Sequence, residues 1–98
     1  MVIREIFEKL GTSAKPVARL YYKSGDVKTI FIGFKKGMIL ARHKTSVPAR
    51  LMVITGKVTY VQAGDKSILN MYDYKDIPVD IMHEVHADED SLCMLIQG

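Results

Sequence analysis

The chain predicts a small antiparallel β-sandwich or barrel with one short helix at its start. Three observations carry this. Short runs rich in Val, Ile, Tyr and Phe recur from residue 17 to residue 96. Glycine-bearing turns separate them at close intervals. Beyond Leu10 no segment keeps a helical period long enough to supply the crossovers that parallel strands need. At 98 residues the chain is expected to form a single domain, 1–98. Its 48% hydrophobic content and five tyrosines favour a packed fold over a disordered segment.

Residues 2–10 read as a helix. Val2, Ile3, Ile6, Phe7 and Leu10 recur at helical spacing, with Arg4, Glu5, Glu8 and Lys9 largely opposite them. Gly11 is a suitable terminator, and Pro16 turns the chain to extended backbone. The β-barrel core is then expected over 17–96. Val17 to Tyr22 and Val27 to Phe31 flank Ser24-Gly25-Asp26, a hairpin connection. Gly33 and Gly37 bracket a basic turn before Met38 to Ala41. Leu51 to Ile54 and Val58 to Val61 are joined through Gly56. Ala63-Gly64-Asp65-Lys66 turns the chain into Ile68 to Met71. Ile81 to Val85 and Leu92 to Ile96 flank the acidic Asp88-Glu89-Asp90. The total is seven or eight strands, and their outward apolar residues favour a homodimer as the partner that covers them.

Composition narrows the function classes. There is no apolar run long enough to cross a bilayer, so no membrane role is expected. The first ten residues lack the organisation of a secretory signal. The lone Cys93 cannot form an internal disulfide, which favours a cytoplasmic setting. The net charge of +3 hides an asymmetry. Up to Lys57 there are twelve basic and three acidic side chains; beyond it there are two basic and eight acidic. That polarity suits association of two chains or attraction of an anion to the N-terminal half, although most of these charges read as solvated surface. The basic residues are dispersed and form no reading module, so no nucleic acid is expected.

The residues with chemical content are two histidines in separate motif halves. Gly37-Met-Ile-Leu-Ala-Arg-His43-Lys-Thr45 is followed by Ala49 and Gly56. Asp76-Ile-Pro78-Val-Asp80-Ile-Met-His83 is followed by Glu84-Val-His86-Ala87. In order and content these halves resemble the two motifs of the cupin superfamily, over roughly residues 17–96. The resemblance implies a cupin-like jelly-roll barrel. Gly37, His43, Gly56, Pro78 and His83 match the family pattern. Thr45 stands in place of its second histidine, Ala49 of its glutamate, Asp80 of its second-motif glycine and Ala87 of its asparagine.

A family metal centre built from three imidazoles and one carboxylate would therefore keep two of its four donors. His43 and His83 are the metal candidates, and Thr45 and Ala49 replace donors poorly or not at all. The expected cofactor is none, with a weakly held divalent transition metal as the alternative.

Strand alternation puts His43 with Thr45 on one face, and Ile81, His83 and Val85 on another. The expected small-molecule binding site is thus His43, Thr45, Leu51, Val53, Ile81, His83 and Val85, with a small organic or anionic ligand. A packed interior with hydrogen-bonded histidines is the competing reading. His86 and Glu84 oppose His83 by parity, and Cys93 sits in an apolar strand as an inert thiol. Three functions stay open: binding or sensing at a metal-independent pocket, a metal-dependent cupin oxygenase or isomerase, and a structural homodimer with a filled pocket.

Overall fold

The computed structural model describes every residue from Met1 to Gly98. Helix α1 (Val2–Leu10) precedes nine strands: β1 (Val17–Ser24), β2 (Val27–Phe34), β3 (Ile39–His43), β4 (Ala49–Thr55), β5 (Val58–Gln62), β6 (Asp65–Leu69), β7 (Tyr74–Ile77), β8 (His83–Ala87) and β9 (Ser91–Gln97). They form a five-stranded sheet in the order β1-β2-β9-β4-β7 and a four-stranded sheet in the order β3-β8-β5-β6. Every pairing is antiparallel. The expected small antiparallel jelly roll with a short N-terminal helix is what the chain adopts.

The main core lies between the sheets. Ile32, Phe34, Leu51, Val53 and Cys93 come from the first sheet and Val58, Tyr60, Leu69, Val85 and Ala87 from the second. They alternate with outward residues because side chains along a strand point to opposite faces in turn. A second cluster lies on the outer face of the larger sheet, where Ile6 and Leu10 of α1 cover Val17, Phe31 and Leu92. Gly33 permits this contact. A Cβ there would overlap Ile6 Cγ2 and come within 2.9 Å of Leu10 Cδ1.

Turn chemistry follows the sequence closely. Ala63 and Gly64 both have positive φ, 51° and 83°, and connect the paired residues Gln62 and Asp65. Two left-handed residues are what a two-residue type I′ hairpin needs. Gly56, at φ 90°, lets the backbone pass against Asp90 and Ser91; an added Cβ would lie 2.7 Å from Ser91 Cα. The Ser91 hydroxyl accepts from the Lys57 N–H at 3.0 Å and so ties the β4–β5 turn to the start of β9.

The strand expected over Ile68–Met71 runs instead over Asp65–Leu69, the one expected over Ile81–Val85 begins at His83, and one strand has no counterpart in the sequence reading. β7 (Tyr74–Ile77) joins the larger sheet as an edge strand beside β4. Its composition, Tyr-Lys-Asp-Ile, is half charged and carries no apolar run. Pairing supplies what propensity does not: Arg50 and Asp76 are opposite one another, with Nε–Oδ1 at 2.6 Å and Nη2–Oδ2 at 3.1 Å. The same guanidinium lies over the Tyr74 ring, 4.2 Å from its centroid. Met71, assigned from sequence to a strand, lies in the turn between β6 and β7, where Tyr72 has φ 70°. No helix is long and apolar enough to cross a membrane.

Candidate functional site

An open cavity of about 360 Å³ enters the barrel between the two sheets. Its size falls at the lower end of the range of about 300–1,000 Å³ typical of ligand pockets. The inner walls are apolar: Ile32, Leu40, Leu51, Ile77, Val85 and Leu95. Polar side chains also line it: Lys28, His43, Lys44, Ser46 and Asp26 are exposed, Gln97 is half-buried and His83 is buried, with Asp26 as the one carboxylate.

His43 and His83 are cross-strand partners on β3 and β8. Their ring centroids are 4.3 Å apart. His43 reaches this position through an irregularity in β3. Leu40 pairs with Val85 and His43 with His83, so three steps on β3 match two on β8. The extra residue resets the alternation and turns His43 to the same side as Leu40.

His83 is buried, stacked at 5.6 Å on the buried Tyr60 ring, while His43 is exposed at the cavity opening. Burial holds the His83 imidazole below its usual pKa, with the Ile81 carbonyl opposing this and His43 adding to it. His83 is therefore neutral near pH 7.

The ring hydrogen bonds assign the tautomers. His43 Nδ1 lies 2.8 Å from the Ala41 carbonyl oxygen and His83 Nδ1 lies 3.2 Å from that of Ile81. A carbonyl only accepts, so each Nδ1 carries the proton and donates. In the neutral His83 ring Nε2 then offers a lone pair.

The other expected site residues fall into two groups. Leu51 and Val85 form part of the wall, and Thr45 is at the opening. Thr45 follows the end of β3, however, and its hydroxyl is engaged locally. It donates to the Val47 carbonyl at 2.9 Å and accepts from the Val47 N–H at 3.3 Å. It shapes the loop and has no proton left for a ligand. Val53 and Ile81 lie outside the cavity wall. Val53 has the inward parity of Leu51 but is completely buried deeper in the core. Ile81 precedes β8, so strand alternation does not apply to it, and its side chain is 39% exposed.

Several lining residues were not anticipated. Lys28 has the same parity as Ile30, Ile32 and Phe34 along β2, and Gln97 the same parity as Cys93 and Leu95 along β9. Lys28 and Gln97 pair directly across the sheet at the open end of the barrel, next to Ala49. Alternation along Val27–Phe34 was the available signal for Lys28; its charge masked it. Lys44 comes from the loop after β3, where no periodic signal exists.

The donor set does not fit a resident divalent metal. Ala49, which also lines the cavity, offers no donor, and the Thr45 hydroxyl is committed to its own turn. No three His, Cys, Asp or Glu side chains converge in metal-binding geometry. His86 does not supply a third imidazole, because β8 alternates and His83 and His86 lie on opposite faces. His86 Nε2 instead lies 3.2 Å from Glu84 Oε2, a close contact without hydrogen-bond alignment. Cys93 is completely buried, and burial pushes its thiol up to about 12, which makes it inert as a nucleophile. Asp80, at the glycine position of the second motif, has φ 61°, a conformation that Asp tolerates better than most side chains. Its N–H donates to the Thr45 carbonyl at 2.9 Å and links the two loops at the opening.

No protein-family model and no curated protein matches the chain by sequence. Solved structures do match by fold. An RmlC-like cupin from Desulfovibrio desulfuricans superposes with a TM-score of 0.79 at 21% identity, over 86% of this chain and 82% of that one. KdgF from a Halomonas species gives 0.78 at 20% identity, over 88% and 82%. A cupin 2 conserved barrel domain protein from Leptotrichia buccalis gives 0.79 at 25% identity, over 88% of this chain and 42% of that longer one. The barrel and its two sheets thus place this chain in the cupin fold.

Proposed function

We propose that the chain binds or senses a small organic molecule in a metal-independent cupin pocket. The observation that carries this reading is the open cavity of about 360 Å³ with apolar walls, a buried histidine and exposed polar groups among its lining. A ligand buries its body against Leu51, Val85 and Leu95 and is oriented by His43 and His83. Burial of apolar surface supplies most of the affinity and the polar groups supply the selection. A structural role with a filled pocket is disfavoured by the same open space. Metal-dependent oxygenase or isomerase chemistry is disfavoured by the donor set, since two imidazoles hold a divalent ion weakly and unselectively.

The test is a titration of isotopically labelled protein with a panel of neutral, anionic and cationic molecules of about five to twelve heavy atoms, a range set by ligand-pocket dimensions. Shifts confined to the amides of Leu51, His83, Val85 and Leu95 are expected for at least one member. A panel that leaves all of these unmoved contradicts the reading.

A further inference from the structure

We propose that the outer face of the five-stranded sheet is the contact surface for a second copy of this chain, in a back-to-back pair. The face lies on the side of the sheet away from the cavity, and the proposal does not rest on the cavity reading.

Strand register sets this face out in rows. Arg19, Phe31, Met94, Met52 and Tyr74 lie side by side across the sheet, and Tyr22, Thr29, Ile96, Arg50 and Asp76 form the next row. They point outward because Ile30, Leu51 and Leu95, which alternate with them, pack into the main core. Helix α1 has nine residues, so it is only about 13 Å long. It rests on Val17, Phe31 and Leu92 at one end of the face. The rest of the face has no cover. Tyr21, Tyr22 and Tyr74 each expose more than half of their surface, and Met52, Met94 and Ile96 are half-buried. Tyr21 belongs to this face as well, since its ring stands edge-on to that of Phe31 with centroids 5.0 Å apart.

Tyrosine, methionine and arginine are the side chains enriched where proteins meet, and lysine and glutamate are depleted there. The two rows contain no lysine and no glutamate. Their one carboxylate, Asp76, already holds Arg50 through two hydrogen bonds, and the same guanidinium lies over Tyr74. These groups are paired before any partner arrives, which lowers the cost of covering them. The outer face of the smaller sheet is different, for it sets Lys66, Glu84 and His86 among Ile39 and Ile68. The open edge of β1 is a poorer contact than the face. A register shift at Tyr21 and the charges of Arg19 and Lys23 blunt it against another strand.

Charge and area both fit a second copy. A strongly charged partner would find one free ion on this face, Arg19, which takes part in no ion pair. A two-fold axis along β9, the middle strand, lays the β1 edge of one copy over the β7 edge of the other. Arg19 then meets Tyr74 and Asp76 of the second copy, and symmetry makes the contact twice. At about 200 Å² for a whole aromatic side chain, the three tyrosines offer roughly 300 Å². With the half-buried side chains between them the face reaches roughly 500 Å². Two such faces bury about 1,000 Å², the least that a specific pair of chains needs. The pair is therefore expected to be reversible, with a dissociation constant on the order of 10 µM.

Sedimentation velocity of the full chain from about 1 µM to about 1 mM tests this. A shift from monomer to dimer across that range is expected. Ile96→Glu and Tyr74→Ser should each weaken the dimer at least about tenfold, because every substitution enters the interface twice. Ile68→Lys, on the smaller sheet, should leave it unchanged. Circular dichroism checks that each variant is folded; if Ile96→Glu is not, the exposed Tyr74 carries the test. A chain that stays monomeric throughout overturns the proposal. So does a dimer that survives both substitutions, or one lost on Ile68→Lys. The monomer is then mixed with neutral phosphatidylcholine vesicles. Co-sedimentation would assign the face to a membrane surface, and its absence would assign it to a different protein.

Discussion

His43 enters the cavity because β3 carries one residue more than β8 between their paired positions. Strict alternation from Leu40 would have turned Arg42 inward and His43 out. Sequence reasoning reached the right histidine through its motif, but the bulge that aims it depends on pairing with a strand some forty residues away and leaves no local signature. Thr45 shows the opposite failure. It was assigned to a strand face by parity, yet the strand ends at His43, and its hydroxyl closes a turn with Val47.

The buried neighbour, His83, carries a consequence for stability. Its folded-state pKa is depressed, chiefly by burial, so the unfolded chain binds a proton more readily. Its contribution is fully present above the unfolded value of about 6.5 and is lost as pH falls from there through the folded pKa. The thermal midpoint of the wild type should therefore fall more steeply than that of His83→Phe between pH 7.5 and pH 5. The remaining ionisable groups are common to both proteins, so the difference reports this ring together with its coupling to His43. A gap between the two midpoints that stays constant with pH would refute the assignment. Asp76, held low by its hydrogen bonds to Arg50, changes stability only below about pH 4, outside this window.

At the scale of elements, the strands legible in the sequence are those with an apolar or aromatic run of their own, including β1 and β3, which bury one side chain and none. β4, β5, β8 and β9 contribute buried side chains at alternate or consecutive positions and were readable. β7 was not, since Ile77 is its one buried residue and its place is set by Arg50 across the ladder. Helix α1 was readable from periodicity, but its docking site was not, because that depends on an absence of side chain. Ile6 and Leu10 settle on the bare backbone of Gly33. Gly33→Ala should push the helix from the sheet and cost about 1–3 kcal/mol, the usual range for overpacking. Thermal denaturation followed by circular dichroism reads this directly. An unchanged midpoint would mean that the helix does not rest there. Ligand binding should survive the substitution, since the helix covers the outer face of the larger sheet and the cavity lies on the inner one.

Over the whole molecule, the barrel separates two tasks. One end is closed by packing: Phe34, Val58 and Ala87 fill the space between the sheets, and the Lys57 carbonyl accepts from the N–H groups of Asp88 and Glu89. The other end stays open, and the rows of side chains that would seal it end in Lys28, Gln97 and Ala49. The cupin fold was legible because five motif residues keep their order and spacing, and Gly37 and Gly56 take the positive φ angles that make them glycines. The character of the opening was not, because it arises where residues from both sheets and a loop meet. No single stretch of sequence contains it.

The central claim is that this opening selects organic ligands and not a metal ion. The most direct measurement is elemental analysis of protein purified without chelator, followed by calorimetric titration with Zn²⁺. The account predicts substoichiometric metal and Zn²⁺ binding no tighter than about 10 µM, as two imidazoles without a third protein donor should give. It also predicts that Ala49→Glu tightens that binding by at least about tenfold, by adding a carboxylate beside the two rings. Near-stoichiometric metal in the purified protein, lost on replacing His43 or His83, would contradict it.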